Sequence, residues 1–360
     1  MTQYSQHMKH FYHNDRVMRI LPLQKLFILL IACMFSLSIT TPARSSERTY
    51  QLSTGISSGD FYPIGIALKT LLTLKRSKKQ NIILDVHQSK GAQANLIALL
   101  EGDADIAFVD ASTILAAFTK KPPFDKYTNI GELQALASLW RDIAHFIIER
   151  PQTSSGNVGD FRNLIGENIS IGHKTTASAF AARDLFNNIG IYYDKMFHMS
   201  DYGIYQTTEA FIDGTLSGIG LFTHQANKNI ARILAEPNNN ATLLHISNKH
   251  LKAINEKEIP IWQRHVIEAN TYENQPEPIN SISQANFLVV RQNFNNKDAY
   301  TITKTLFENL TFVQALHDAA KPLRHSSSTE EMILPLHSGA KRYFIEAEKC
   351  RGIFCLFNSY

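Results

Sequence analysis

YQLSTGISSGDFYPIGIALKTLL, residues 50–72, contains a short strand (Tyr50 to Ser53), a loop of small residues and an amphipathic helix, and the rest of the chain can be read outward from it. The loop Thr54-Gly55-Ile56-Ser57-Ser58-Gly59 holds three hydroxyls and two glycines in six residues. Pro63 suits the first turn of a helix, where its missing N–H leaves nothing unpaired. Ile64, Ala67, Leu68, Leu71 and Leu72 follow the spacing of one buried helix face. A strand that feeds a glycine-rich turn at a helix N-terminus presents backbone N–H groups and the positive end of a dipole, a setting that suits an anion.

The same grammar recurs downstream. Asn81 to His87 reads as a second strand, Ser89-Lys90-Gly91 as a turn, and the next helix buries Ala92, Leu96, Leu99 and Leu100. Gly102 to Asp105 ends it, and Ile106 to Val109 is an apolar strand of the fully buried type. Asp110 reads as either a hinge-side ligand contact or a cap for the helix that follows, and the cap is favoured. Leu136 to Ile148 is a further strand-like run, interrupted by Trp140-Arg141-Asp142. Asn168 to Ile171 is a strand, Gly172 to Ser178 a polar turn, and Ala179 to Ile189 a helix burying Ala182, Leu185, Phe186 and Ile189. A helix around Thr208 to Asp213 leads to the strand Gly218 to Phe222, which ends in Thr223-His224-Gln225. Residues 260–278 read as irregular, Ala285 to Val290 as a strand, Asp298 to Leu316 as one long helix, Ser326 to Thr329 as a surface loop, and Ser338 to Lys349 as a last helix. Alternating strands and helices imply an α/β fold in two lobes, with ligands at the carboxyl ends of strands. The expected division is a leader in 1–43, a first lobe in 47–148, a second in 149–280, and a return to the first in 281–360.

The 360 residues carry a formal charge of +4, but residues 1–43 hold four basic groups (Lys9, Arg16, Arg19, Lys25) against Asp15. The remainder has 32 basic and 31 acidic residues. No basic run with interleaved aromatics stands out, which argues against nucleic-acid binding. Arg19 and Lys25 before the apolar run Leu26 to Leu37, with Thr41-Pro42-Ala43 after it, form the pattern of a secretory signal, with Met18 as an alternative start. Leu30-Ile31-Ala32-Cys33 resembles a lipobox, yet the apolar run continues past it, so simple export to the periplasm is favoured over a lipid anchor at Cys33. Cys350 and Cys355 would form at most a small local disulfide. No metal-binding or phosphate-loop pattern is present, and no cofactor is expected.

Thr54 to Gly65, TGISSGDFYPIG, resembles the opening motif of the TAXI family, the TRAP-associated extracytoplasmic immunogenic proteins, whose pattern is about TGSxGGxYYPxG. Ser89 to Leu96 is similar to the family's TGGSxxNL, and Gly102 to Val109 to its GxADxAxV. Leu306 to Leu310 and Pro335 to Phe344 resemble ALFENL and PLHPGAxRYY. These pieces span nearly the whole exported chain in the right order. The resemblance implies a type 2 periplasmic-binding-protein fold that captures a small organic solute between its lobes, without chemistry, for a TRAP-type membrane permease; a monomer is expected. It implies that Thr54, Ser57, Ser58, Tyr62, Ser89 and Asn95 line the first lobe's side of the cleft. In the second lobe the family's GAPGSGT becomes Gly172-His173-Lys174-Thr175-Thr176-Ala177-Ser178, with both inner glycines replaced, which would turn Thr175, Thr176 and Ser178 towards the ligand, with Thr223 nearby. Ser217 and Gly218 stand where the family carries an acidic residue.

Two other readings compete. Gly55-Ile56-Ser57-Ser58-Gly59 matches G-x-S-x-G between a strand and a helix, the setting of a hydrolase nucleophile, although this strand is the first after the leader. A periplasmic sensor or interaction module using the same cleft is the other. Individually, the hydroxyls have a plainer role as helix caps, Tyr62 as a core aromatic, and His173 and Lys174 as a solvated turn. Recurrence of hydroxyls at strand ends in both halves favours a binding site for an amino acid or a dicarboxylate.

Overall fold

The computed structural model describes residues 47–75, 81–236, 241–256 and 259–357, with side chains as far as residue 349. The leader, Met18 and Cys33 lie outside the described residues, as do the side chains of Cys350 and Cys355. Glu47–Tyr360 form one compact unit.

The chain is mixed α/β. Strand β1 (Arg48–Ser53) leads to helix α1 (Phe61–Leu74), β2 (Ile82–His87) to α2 (Ala92–Glu101), and β3 (Ile106–Asp110) to α3 (Ala111–Phe118). After the long β4 (Leu133–Glu149) come β5 (Asn168–Ser170), α4 (Ala177–Asn188), α5 (Tyr193–Met196), β6 (His198–Met199), α6 (Ile204–Ile212), β7 (Gly218–Thr223) and α7 (Lys228–Ala235). The remainder is β8 (Ala241–Leu243), α8 (Asn248–Asn255), β9 (Gln263–Ile267), β10 (Ile279–Arg291), α9 (Asn296–Phe307), α10 (Leu310–Leu316) and α11 (Ser338–Phe357).

The sheet runs β2-β1-β3-β10-β4-β7-β5-β6, with β8 beside β4 and β9 beside β10. Its logic is that of two parallel groups, β2-β1-β3 and β7-β5-β6, joined by two antiparallel strands. β4 pairs with β10 along its first part and with β7 from Ile143 to Ile148. β10 pairs with β3 from Asn286 to Val290 and with β9 from Ile279 to Ser283. Both strands therefore pass from one parallel group to the other.

Several elements differ from the sequence-based expectation. Trp140-Arg141-Asp142 does not interrupt β4, which is continuous over 17 residues. A register shift between Ala285 and Phe287 of β10 absorbs an extra residue opposite them, and the polar groups find partners where they stand. Arg141 donates from Nε to Ser283 Oγ and from Nη2 to Ser283 O, both at 2.8 Å, and Trp140 Nε1 donates to Asp142 Oδ1 at 3.1 Å. Residues 260–278 are not wholly irregular, since β9 pairs there with the start of β10. The long helix expected from Asp298 to Leu316 is two helices: Asn309 leaves helical geometry (φ −128°, ψ 32°) while its side chain donates to Thr305 O at 2.8 Å, the local competition that short amides offer the backbone. Ser326–Thr329 form a 3-10 turn in which Ser328 is buried, donating to Arg324 O at 2.7 Å. Asp110 does cap α3, accepting from Thr113 N at 3.0 Å.

Aromatic packing fixes the turns that face the sheet's carboxyl edge. Phe61, the first residue of α1, stacks on Phe108 of β3 (centroids 5.4 Å apart) and tilts against Trp140 of β4 at 5.7 Å. Such pairs add to the area they bury. In the other group Phe146 packs against Phe161, Phe186 and Phe222. A Cβ on Gly220 of β7 would sit 2.5 Å from the Phe146 ring, so glycine there lets the ring lie on the strand. The returning C-terminal segment is tied to β1 by Asp298, fully buried on α9. It takes Arg48 Nη2 at 2.7 Å and the Tyr50 hydroxyl at 2.6 Å.

Candidate functional site

The turns after β1, β2, β5 and β7 converge on a cavity of about 660 Å³, within the ~300–1,000 Å³ typical of small-molecule sites. Gly55 to Phe61 come from the first turn, Lys90 and Gly91 from the second, Gly172, His173 and Thr176 to Ser178 from the third, Thr223, His224 and Asn227 to Asn229 from the fourth. The N-terminal ends of α1, α4, α6 and α7 all border it, which places the positive ends of four helix dipoles around one space.

Of the residues singled out from the sequence, Ser57, Ser58, Thr176, Ser178 and Thr223 line the cavity. Ser57 and Ser58 are exposed within it. Thr176 caps α4, accepting from Ala179 N at 3.2 Å, and Ser178 Oγ accepts from Phe222 N at 2.8 Å, joining the third turn to the end of β7. Thr223 Oγ1 accepts from Asn227 at 3.0 Å. The other five lie outside the lining. Thr54 is buried and donates to His87 O at 2.7 Å. Asn95, also fully buried, accepts from Ser53 (2.7 Å) and Ser89 (2.5 Å), and donates to Phe108 O at 2.8 Å and to Thr54 O. Ser89 in addition donates to Thr54 O at 3.0 Å and accepts from Gly91 N at 2.9 Å. These three side chains hold the first two turns in shape from behind. Tyr62 is half-buried on α1. Thr175 turns its hydroxyl to His173 Nδ1 at 2.9 Å, while its carbonyl packs on Gly91.

Gly91 is a close junction between the two groups of strands. Its φ is +119°, and a Cβ there would stand 2.7 Å from Thr175 O. Only glycine combines that backbone conformation with that approach. Lys121, just after α3, reaches Asp184 on α4 at 3.5 Å across the same junction.

A charged cluster that the sequence did not single out occupies the cavity wall. Asp60 Oδ2 lies 3.1 Å from His224 Nδ1, and Asp60 Oδ1 lies 3.8 Å from His317 Nε2. The two imidazoles meet edge to face, centroids 5.6 Å apart. Burial alone would lower the pKa of His224, but the hydrogen bond and charge of Asp60, with Asp142 and Asp318 behind it, carry it above the ordinary histidine value. For His317 burial prevails and the pKa falls. Asp142, buried in β4, is pushed up to about 8, first by burial and then by the negative charge of Asp60. Burial thus favours the protonated carboxyl of Asp142, which is a hydrogen-bond donor. Its signal in the sequence was an acid within an otherwise apolar strand. His317 and Asp318, which follow α10, gave none.

The loop bearing His224 is pinned from behind. Ala226 takes a left-handed conformation (φ 59°) and its N–H donates to the Tyr272 hydroxyl at 3.1 Å. That hydroxyl lies 2.8 Å from His145 Nε2, whose other nitrogen, Nδ1, is 2.9 Å from Ile143 O. Burial drives the His145 pKa down to about 3. The ring is therefore neutral, protonated on Nδ1 and accepting from Tyr272 on Nε2, so every donor in the chain is used.

A family model described as NMT1-like matches residues 52–347. The chain belongs to the NMT1-like family. Among solved structures, this NMT1-like chain is similar to the periplasmic aliphatic sulphonate binding protein SsuA from Escherichia coli (10% identity, 84% of each chain covered, TM-score 0.41). It is similar as well to MatC from Rhodopseudomonas palustris with bound malate (10% identity, 76% of this chain and 86% of that one, TM-score 0.44). A TctC solute binding protein from Polaromonas matches at 15% identity over 78% of this chain and 89% of that one, TM-score 0.43. Among the described residues no helix is long and apolar enough to cross a membrane, and no group of three or more His, Cys, Asp and Glu side chains could hold a metal ion.

Proposed function

We propose that this NMT1-like protein is an extracytoplasmic solute-binding protein of the TAXI type, a monomer exported to the periplasm. It closes two lobes, 47–148 with 281–360 and 149–280, on a small carboxylated solute, an amino acid or a dicarboxylate, and hands it to a TRAP-type permease. The observation that carries the proposal is the convergence of the turns after β1, β2, β5 and β7, from both parallel groups, on one cavity. Helix N-termini and hydroxyls hold a carboxylate there without any step of bond making. Ser57, Ser58, Thr176, Ser178 and Thr223 supply hydroxyls, while Thr54, Ser89, Asn95 and Thr175 support the turns and Tyr62 packs beside them. Closure shifts the population towards the form the permease recognises.

Thermal-shift and calorimetric screening of metabolites tests the ligand class: amino acids or dicarboxylates stabilise the protein. If no carboxylated solute stabilises it and another class of compound does, the assignment fails. The Asp60–His224 pair gives the hydrolase reading of Ser57 its one specific support, since such a pair orients a catalytic histidine. Against it, among the described residues no hydrogen bond joins Ser57 to His224. A fluorophosphonate probe leaves the protein unlabelled if Ser57 is a hydrogen-bond donor and labels it if Ser57 is a nucleophile.

A further inference from the structure

Asp60 and His224 reach the cavity from opposite groups of strands. Asp60 stands between β1 and α1, in the group β2-β1-β3, whereas His224 directly follows β7, in the group β7-β5-β6. Their contact, Nδ1 to Oδ2 at 3.1 Å, is a direct ion pair across the cavity, and the His224 side chain is only 9% exposed. Two other contacts at the junction are of a different kind: Gly91 packs on Thr175 by backbone alone, and the Lys121–Asp184 pair lies outside the lining. We propose that the Asp60–His224 pair is a proton-controlled latch that holds the cavity closed in mildly acidic medium and lets it open as the medium turns alkaline. The proposal rests on the reading of the cavity as a closing cleft.

The sign follows from the groups that face His224. Asp60 from the start of α1, Asp142 from β4 and Asp318 from the turn after α10 all favour its imidazolium, and their combined pull outweighs burial. His145 of β4 and His317 oppose it by like charge when protonated, but burial lowers the pKa of both, and Lys228 of α7 acts on His317. A pKa that is higher in the closed form means that protons favour closure. The contribution is complete below the ordinary histidine value of about 6.5 and is lost as the pH rises through the raised one. Asp142 gives up its proton only near pH 8, so its negative charge, which favours the imidazolium, joins that of Asp60 only at the alkaline end.

The test is small-angle X-ray scattering of the purified, dialysed protein between about pH 5.5 and 8.5, the interval in which histidine titrates. The expected result is a radius of gyration larger at the alkaline end, as a hinge opening requires. His224→Gln and Asp60→Asn both abolish the pH response. The His224 ring resonance, followed by NMR in the wild-type protein, is a check that needs no folded variant, and it titrates in step with the scattering. A flat wild-type profile, a response that survives in either variant, or a His224 ring that titrates at or below the ordinary histidine range overturns the latch. Because no solute is added, this outcome is independent of whether a carboxylated solute binds.

Discussion

Asn95 shows at the scale of one residue how a polar side chain near a site acts without lining it. It joins the end of β1, the turn after β2 and the backbone of β3 through one amide. Asn95→Ala removes these hydrogen bonds from a buried position, and the expected loss is about 2 kcal/mol of stability, read from urea unfolding. Asp142 makes the opposite kind of prediction. With its pKa raised to about 8, the folded state holds a proton that the unfolded chain releases near pH 4, so its contribution to stability declines as pH rises towards 8. Asp142→Asn, which cannot ionise, raises the unfolding midpoint at about pH 8 and flattens the fall in stability from pH 5 to pH 8. A variant no more stable than wild type at the alkaline end contradicts that assignment. The hydroxyl cluster was legible in the sequence because serine and threonine recur at strand ends. Which of them face the cavity was not, because a hydroxyl satisfies a backbone group or a ligand with the same chemistry.

At the scale of elements, the strand-turn-helix units were plain from periodicity: β1 with α1, β2 with α2, and β5 with α4 stand where apolar spacing and polar turns put them. The bridging strands were harder to see. β10 extends from Ile279, well before its apolar stretch, because Asn280, Ser281 and Ser283 pair with β9 and β4 through the backbone. Residues 154–160 form a turn of another kind, closed on a single carboxylate. Asp160 is buried and accepts from the N–H groups of Ser154, Ser155 and Gly156 at 2.8 to 3.1 Å, and from both serine hydroxyls. Burial would raise its pKa, yet these donors, led by Ser155, hold it down to about 2. Its contribution is present above the ordinary aspartate value and is lost as pH falls towards 2. Asp160→Asn loosens this turn and costs about 1–3 kcal/mol at neutral pH, measured by chemical unfolding, with the difference from wild type shrinking in acid.

For the whole molecule, two parallel groups of strands and two crossing strands place one cavity where the carboxyl ends meet. Gly91 is the point at which that arrangement depends on a missing side chain. Gly91→Ala pushes on Thr175 and imposes a left-handed strain, so solute affinity falls by tenfold or more (about 1.4 kcal/mol), as calorimetry with the best stabilising metabolite would record. A Gly91→Ala protein that binds as tightly as wild type contradicts the close junction. Native mass spectrometry of the protein purified from cells without denaturation tests whether the cavity captures a small carboxylated solute. The expected spectrum shows an adduct of one small carboxylated metabolite on the wild-type protein, absent when Ser58→Phe fills the cavity. A wild-type protein that carries no such adduct and gains none on incubation with amino acids or dicarboxylates would contradict the account.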